Sequence, residues 1–289
     1  MVDRRVGLLG ATSLVGSCLQ LLLTRTGWLV DAFSRRNSST CHMGVTWNDL
    51  TPSFLPQGND KIQNWVCAAP IWVLPQYFGL LEAYGAKRVV AISSTSRFVK
   101  GNSSDSGERE IAEGLVTGEE ALRAWGERTG VEWVILRPTL IYGKGRDRTI
   151  AEMARFMIRF GFFPLLGQAS GLRQPVHAED VASACLASLI SPRSYNRAYN
   201  ISGGETLSYR EMANRIFTAL GRRPRLVTVP LRMFRLALAF LRILPRYRHW
   251  SAAMAERMNR DLVFDHAEAK LDLGYAPRSF HPMGEDLPQ

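Results

Sequence analysis

Cysteine is scarce, and the cysteines stand too far apart to form a recognisable site. No two occur as a CxxC pair, and the four are Cys18, Cys41, Cys67 and Cys185. This spacing argues against a zinc site and against a disulfide framework, so we expect no bound metal and a reducing, cytoplasmic environment.

Long hydrophobic runs are also absent. The apolar run from Val6 to Leu23 follows two arginines, as in a signal peptide, but small and polar residues interrupt it. No stretch reaches the ~20 unbroken apolar residues that a membrane-spanning helix needs. We therefore expect neither a signal peptide nor a membrane span here.

Acidic residues are missing from one C-terminal stretch. Between Glu211 and Glu256 the sequence has nine basic residues and no acid; they are Arg215, Arg222, Arg223, Arg225, Arg232, Arg235, Arg242, Arg246 and Arg248. Without them the chain would be nearly neutral, whereas its formal net charge is +10. Such a localised positive field predicts an anionic partner: a phosphorylated substrate, a membrane surface or a nucleic acid.

What the sequence does contain is a regular alternation of β-rich and helical segments over its first half. With 289 residues, 46% apolar and 21% charged, the chain has the composition of a globular protein. Alternation of this kind predicts parallel βαβ units. Predicted strands are Arg5–Leu9, Trp28–Phe33, Gln63–Ala68, Arg88–Ser93 and Val131–Leu136, and predicted helices between them are Leu14–Thr26, Leu74–Tyr84 and Glu108–Arg128.

Beyond residue 150 the pattern is less regular, which predicts a second, smaller lobe. Helices are expected at Ala151–Phe160, Asp180–Ile190 and Tyr209–Leu220. The expected fold is a Rossmann-type, doubly wound parallel sheet with an interleaved C-terminal α/β lobe. We assign residues 1–165 to the dinucleotide-binding domain, with a strand near 198–202 returning to it, and 166–289 mostly to the substrate lobe.

The first strand leads into a glycine-containing turn, Gly10–Gly16, and then into an apolar helix. A strand–turn–helix of this kind directs backbone N–H groups and the positive end of the helix toward a pyrophosphate. Gly10 would allow the tight turn, and Gly16 would allow close packing of helix on sheet. The context predicts a dinucleotide-binding turn, where the glycines alone would not.

The chain resembles the extended short-chain dehydrogenase/reductases, and among them the NAD-dependent epimerase/dehydratase group that acts on nucleoside-diphosphate sugars. The matching motifs are Leu9–Gly16, Ile92–Thr95, Leu136–Gly143, Gly171–Ala182, Tyr199–Gly204 and Leu273–Pro277. Ser13 stands where that group has a middle glycine. The resemblance implies a cofactor site made by Gly10, Thr12, Ser13, Leu14, Val15, Gly16, Ser34, Arg35, Arg36, Asp49, Ala68, Ala69, Pro70, Ser93 and Pro138.

The end of the second predicted strand indicates which dinucleotide is bound. A carboxylate there would hold the ribose hydroxyls of NAD, whereas arginine attracts the 2′-phosphate of NADP. The sequence reads Ser34, Arg35, Arg36, and Asp31 falls too early, inside the strand. NADP is therefore favoured over NAD, the alternative being that both arginines are only solvated surface residues.

The family's catalytic Tyr-x-x-x-Lys pair is missing, because none of the eight tyrosines has lysine four residues later. Thr95 falls where the family has a catalytic serine or threonine, with Ser94 beside it, and could donate a hydrogen bond to a substrate carbonyl. Other candidates for proton transfer are His177, Glu119 and Glu120. The simplest interpretation of the two glutamates is a solvated helix face.

For the substrate, Arg173 matches the arginine that binds the diphosphate in nucleotide-sugar epimerases, and Arg146 is a weaker candidate for the same pocket. The planar guanidinium suits this chemistry because it donates two parallel hydrogen bonds to phosphate oxygens. The alternative for Arg173 is a surface loop. Segment 230–248 is apolar and carries arginines. Three interpretations of it are open: a surface helix, a lid over an anionic or lipid-linked substrate, or a peripheral helix at the inner membrane surface.

Two functions remain open at this level. The first is an NADP-dependent, epimerase/dehydratase-like oxidoreductase acting on a nucleotide-sugar or similar small anionic substrate without the usual pair. The second is a non-catalytic NADP-binding sensor or assembly protein. No nucleic-acid-binding fold is recognisable, so no nucleic-acid partner is expected, while a homodimer is compatible with either function.

Overall fold

The structure, a computed structural model, describes residues 4–35, 43–50, 61–230 and 257–288. Its strands are β1 (Arg5–Leu9), β2 (Leu29–Ser34), β3 (Val45–Asp49), β4 (Asn64–Cys67), β5 (Arg88–Ile92), β6 (Glu132–Pro138), β7 (Ile141–Tyr142), β8 (Phe163–Leu166), β9 (Leu172–Arg173), β10 (Val176–His177), β11 (Arg197–Ile201), β12 (Leu207–Ser208) and β13 (Leu226–Val229). Its α-helices are α1 (Leu14–Arg25), α2 (Phe78–Ala83), α3 (Ser106–Thr129), α4 (Ile150–Phe160), α5 (Ala178–Ile190), α6 (Tyr209–Ala219) and α7 (Ala267–Leu273).

The central sheet has seven strands in the order β11-β6-β5-β4-β1-β2-β3, and every neighbouring pair is parallel. Parallel pairing places all the carboxyl ends of the strands at one edge. The order reverses between β1 and β4, which creates the crevice where α/β sheets of this type bind ligands. The predicted α/β, Rossmann-type fold is confirmed.

Both faces of the sheet are covered, which explains why its strands are almost continuously apolar. On one face, Val66, Val90 and Val134 pack with α1 and α5. On the other face, Trp65, Val89 and Ile135 pack with α2 and α3. All six side chains have 0% exposure, so alternate residues of each strand supply two separate cores.

Two elements differ from the sequence prediction. The helix expected over Leu74–Tyr84 is a 3₁₀ helix, Ile71–Tyr77, followed by the short α2. Pro75 lies inside the 3₁₀ segment, and proline cannot donate the backbone hydrogen bond that an α-helix interior requires. Strand β3 was not expected, because its residues are only partly buried at the sheet edge and lack a long apolar run.

The second lobe is built around its own apolar cluster, in which Met157, Ile216 and Phe217 are fully buried. Strands β8 and β13 pair in parallel beside α4 and α6, and β9 pairs antiparallel with β12. Strand β11, although late in the chain, lies next to β6 in the central sheet. Among the described residues, no helix combines the length and hydropathy needed to cross a membrane.

Candidate functional site

The predicted cofactor residues that the structure describes lie at or just beyond the carboxyl ends of the central strands. The turn Gly10–Gly16 follows β1, Ser34 ends β2, Asp49 ends β3, and Pro138 ends β6. Arg35 follows β2, Ser93 follows β5, and Ala68, Ala69 and Pro70 follow β4. Arg36 and residues 231–248 of the basic segment lie outside the described residues. The sheet thus brings together side chains that stand far apart in the sequence.

The turn after β1 requires glycine at two positions. Gly10 has φ +75°, and a Cβ added there would lie 2.8 Å from the Ala68 carbonyl carbon and closer still to the Ala69 nitrogen. A Cβ on Gly16 would overlap the carbonyl oxygens of Gly10 and Ala11. Two chain segments therefore meet at backbone distance beside the β1/β4 crevice, and a side chain at Gly10 or Gly16 would collide with main-chain atoms.

The helix that follows the turn begins with a polar cap. Ser13 is the N-cap of α1, and its hydroxyl accepts a hydrogen bond from the Gly16 N–H at 3.0 Å. The first backbone N–H groups of a helix have no intrahelical acceptor, so those of Leu14 and Val15 remain for an anion at this end. The serine that replaces the family's glycine thus has a structural role.

Three charged side chains lie in or near the end of β2, where the ribose of a dinucleotide is expected. The Asp31 carboxylate is buried inside the strand and accepts from Arg5 Nε at 2.7 Å, so it lies away from the strand end as expected. Arg35 is exposed just after the strand. Ser34 stands opposite Asp49 in the β2–β3 register, and Asp49 is also exposed. One cation and one carboxylate therefore flank this edge.

Three consecutive hydroxyls follow β5, and each has a protein partner. Ser93 is buried and donates to Glu119 Oε1 at 2.6 Å. Ser94 caps the 3₁₀ helix Thr95–Phe98 by accepting from the Ser96 N–H at 3.1 Å. Thr95 is 5% exposed, and its hydroxyl donates a hydrogen bond to the Pro138 carbonyl at a long distance of 3.3 Å. Of the three, Thr95 makes the weakest contact.

Glu119 is the centre of a buried charge cluster, so its interpretation as a solvated helix face is wrong. Its side chain has 0% exposure and accepts from Arg137 Nε and Nη2, at 3.0 and 2.5 Å, and from Arg97. A buried carboxylate needs such partners, because the desolvation of an unpaired charge is very costly. Glu120, one residue further, is exposed as expected.

This cluster carries more positive than negative charge. Three guanidinium groups face one carboxylate: Arg97 and Arg137 are hydrogen-bonded to it, and Arg123 Nη2 lies 3.7 Å from Glu119 Oε2. Arg97 and Arg137 also stack over the Phe98 ring at 5.2 and 5.3 Å. None of the three arginines was predicted from the sequence. The one sequence signal for this cluster was that Arg137 and the serines after β5 lie in two motifs that resemble the same family. The spacing of those motifs does not show that the side chains are in contact.

On the face of α3 that carries Glu119, the two turns before Glu119 are apolar. Leu115 and Ile111 stand one and two turns before Glu119, on the same side of the helix. Leu115 is 3% exposed and Ile111 38% exposed. No group on this stretch of the helix face can exchange a proton, in contrast to the tyrosine and lysine of the resembled family.

His177 is held on both ring nitrogens. Nδ1 accepts from the Glu179 N–H at 3.3 Å, which makes His177 the N-cap of α5, and Nε2 lies 2.9 Å from Asp286 Oδ1. Burial acts to raise the pKa of Asp286, but hydrogen bonds from His177 and the Met283 N–H outweigh it, and the pKa is lowered. Asp286 is distant in sequence and was not foreseen.

The two arginines predicted to bind substrate lie apart. Arg173 is 4% exposed and donates to the carbonyls of Leu172, Arg260 and Arg257, so the surface-loop alternative is wrong. Arg146 is exposed and donates a hydrogen bond to the carbonyl of Thr12, within the turn Gly10–Gly16, at 2.8 Å. The structure does not bring them into one pocket, and their binding roles stay predictions.

Comparison with known families adds to this geometry. Residues 78–202, from α2 to just past β11, match the model of the NAD dependent epimerase/dehydratase family. This match covers less than half of the chain. The matched region contains Ser93–Thr95, Glu119 and His177, whereas the turn Gly10–Gly16 lies before it.

Two sequence relatives match parts of the chain. Uncharacterized protein y4nG of Sinorhizobium fredii is 30% identical over 176 residues, which make up 60% of this chain and 42% of that protein. NADH dehydrogenase [ubiquinone] 1 alpha subcomplex subunit 9 of Arabidopsis thaliana is 31% identical over 100 residues, 34% of this chain and 25% of that protein. The chain therefore matches less than half the length of either relative.

The fold of the chain is also found in solved structures. UDP-glucuronic acid 4-epimerase from Bacillus cereus, crystallised in complex with NAD, superimposes with a TM-score of 0.72 at 14% identity. The superposition covers 98% of this chain and 96% of the epimerase chain. At this identity the likeness demonstrates the fold, and it extends over both lobes.

Proposed function

We propose that the chain binds NADP across the β1/β4 crevice and acts, with it, on a nucleotide-sugar or similar anionic substrate as an epimerase/dehydratase-like oxidoreductase. One observation carries the cofactor part: β1 leads through a turn that is tightly packed at Gly10 and Gly16 into the N-terminus of α1. Backbone amides at such a helix start, beside the crevice of the sheet, can hold a pyrophosphate. The NAD complex of the structurally similar epimerase is in keeping with this assignment.

The preference for NADP rests on the charges at the end of β2. The carboxylate within β2 itself, Asp31, is already paired with Arg5, whereas Arg35 is exposed just beyond the strand and Arg36 follows it in the sequence. Guanidinium groups suit the dianionic 2′-phosphate. Asp49 opposite Ser34 is the competing charge, and its exposed position leaves its carboxylate well hydrated.

An anionic substrate is supported by the charge excess around Glu119. Three arginines share one buried carboxylate next to Ser93 and Thr95, so this end of the sheet carries net positive charge. A diphosphate or sugar carboxylate would complement it. Thr95 is the group we assign to the substrate, because its present bond to Pro138 is long and a substrate oxygen could replace it.

When bound, NADP would supply the hydride donor or acceptor. The chain's own contribution would be to hold the pyrophosphate at the start of α1, to donate a hydrogen bond from Thr95, and to exclude water with the apolar face of α3. A positioned acid–base group is worth ~10²–10⁴ in rate. We therefore expect turnover that is slow relative to enzymes having the full Tyr-x-x-x-Lys pair.

The second candidate function is non-catalytic binding of NADP by a sensor or assembly protein. It is favoured by the engagement of two candidate proton carriers: Glu119 is locked between arginines, and His177 is hydrogen-bonded on both nitrogens. The name of the Arabidopsis thaliana relative, a subunit of an NADH dehydrogenase, is in line with an assembly role.

Turnover distinguishes the two functions. Purified protein is mixed with NADPH or NADP and a panel of nucleotide-sugars, and absorbance and products are followed. Any turnover should fall in Thr95→Val, which keeps the shape but removes the hydroxyl. Tight cofactor binding with no reaction on any member of the panel would favour the non-catalytic function.

The cofactor preference has its own test. In Arg35→Ala/Arg36→Ala, NADPH binding should weaken at least about tenfold, because a hydrogen bond to a charged group is worth ~1.5–3 kcal/mol. NADH binding should be nearly unchanged. Arg25→Ala, an exposed arginine at the far end of α1, is the control. Equal weakening of both cofactors would show that these arginines do not distinguish them.

A further inference from the structure

The second lobe presents a surface, away from the site described above, on which exposed apolar side chains stand among arginines. We name it the α4–β13 face and define it by Ile158, Arg159, Phe160, Phe162, Arg223 and Arg225. Its residues come from two chain segments, the end of α4 with the turn after it and the residues leading into β13.

Backbone contacts hold the two segments together as one surface. Arg222 Nη1 donates to the carbonyls of Met157 and Ile158, at 3.0 and 2.9 Å, and so caps the end of α4. The Phe163 N–H donates to the Arg225 carbonyl at 2.9 Å, and from there β8 and β13 run in parallel. The positions of the side chains on the face are therefore defined by the fold of the lobe.

The apolar side chains of the face are unusually exposed for their type. Ile158 is 37% exposed, Phe160 52% and Phe162 37%, and the neighbouring Val227 is 48% exposed. Arg159 lies over the Phe160 ring, with its Cζ 5.4 Å from the ring centre. Contiguous exposed apolar groups rimmed by polar ones mark interaction surfaces on soluble domains.

Negative charge is absent from both segments. The sequence has no acidic residue between Glu152 and Glu179 or between Glu211 and Glu256. Within the described part of the chain, Arg159, Arg223 and Arg225 make no ion pair with a carboxylate. Residues 231–248 add five more arginines and no acid, so that stretch does not provide the complementary charge.

We propose that the α4–β13 face binds the surface of an anionic phospholipid bilayer. Arginines attract the headgroups, and apolar aromatic side chains such as Phe160 enter the boundary between headgroups and acyl chains. A nucleic acid would share the charge but not the preference for aliphatic groups such as Ile158 and Val227. This inference does not depend on the proposed function, because the face is built from residues outside the crevice.

The test is flotation of the full-length protein with vesicles of phosphatidylcholine, alone or mixed with phosphatidylglycerol. We expect binding only to the mixed vesicles, weakening as salt is added. Arg223→Gln/Arg225→Gln should bind about thirty-fold more weakly, at ~1 kcal/mol for each arginine near the surface. Phe160→Ser should also weaken binding, and circular dichroism confirms that each variant is folded.

A matched control removes the same charge elsewhere. Arg25→Gln/Arg193→Gln alters two exposed arginines of the other lobe and should bind the mixed vesicles as the wild-type protein does. Absence of binding to the mixed vesicles, or binding that the three α4–β13 substitutions leave unchanged, would overturn the proposal. So would a single-stranded oligonucleotide that binds this face in preference to the vesicles.

Discussion

Replacing Gly10 with alanine should weaken NADPH binding about 5- to 30-fold. Gly10 has φ +75°, and this conformation costs a residue with a Cβ ~1–2 kcal/mol. The added methyl group would also lie within 3 Å of Ala68 and Ala69, whose backbone atoms cannot rotate away. In the free protein the turn can move to relieve both effects.

Binding a pyrophosphate would then require the turn to return to the strained conformation. At ~1.4 kcal/mol per factor of ten, a strain of ~1–2 kcal/mol corresponds to the stated loss of affinity. Isothermal titration calorimetry with NADPH measures that loss, and urea unfolding measures any change in stability. Because the strain is local, the protein should remain folded.

Gly79→Ala is the matched control, since no atom lies within 4 Å of a Cβ added at that position in α2. This variant should bind NADPH normally and gain up to ~1 kcal/mol from better helix propensity. If Gly10→Ala bound NADPH as tightly as the wild-type protein, the assignment of the turn as the pyrophosphate site would be refuted.

Two further predictions concern the buried charges. Glu119→Gln leaves Arg97, Arg123 and Arg137 without this carboxylate and should lower the free energy of unfolding by about 3–5 kcal/mol. The exposed neighbour Glu120→Gln should change the free energy of unfolding by less than ~0.5 kcal/mol. Similar losses in urea unfolding for both variants would contradict the cluster's role. Asp286 has a lowered pKa, so its carboxylate should stabilise the fold above the unfolded-state pKa of about 4, and this stability should be lost as pH falls through the folded-state pKa. Asp286→Asn should therefore be less stable than the wild-type protein near neutral pH, and its stability should depend less on acid. Glu285→Gln, an exposed neighbour, is the control. If the stability of Asp286→Asn fell with pH in parallel with that of the wild-type protein, the stabilising role of the Asp286 carboxylate would be ruled out.

Local patterns predicted much of the central sheet. The apolar runs that became β1, β5 and β6 were visible because strands covered on both faces are almost wholly apolar. Strand β3 was not visible, because an edge strand with partly exposed residues has no such run. The α2 region was misjudged because one proline changed the helix type.

The candidate site was predicted where it depends on chain neighbours. The turn Gly10–Gly16 and the cap Ser13 are local, and their sequence order already implies the geometry. The charge cluster is not local: Glu119 meets Ser93 across 26 residues, and His177 meets Asp286 across 109. An exposed and a buried glutamate look identical in sequence, which is why Glu119 and Glu120 were given the same interpretation.

The sequence by itself determined the order of most strands and helices, the tight turn Gly10–Gly16 and the placement of positive charge along the chain. These follow from backbone propensities and from the period of apolar residues, which act over a few positions. Only the tertiary structure decided which charges are buried together, and that two acid-free segments distant in sequence share one surface. Burial and pairing depend on contacts between strands and helices far apart in the chain, and no local pattern encodes those contacts.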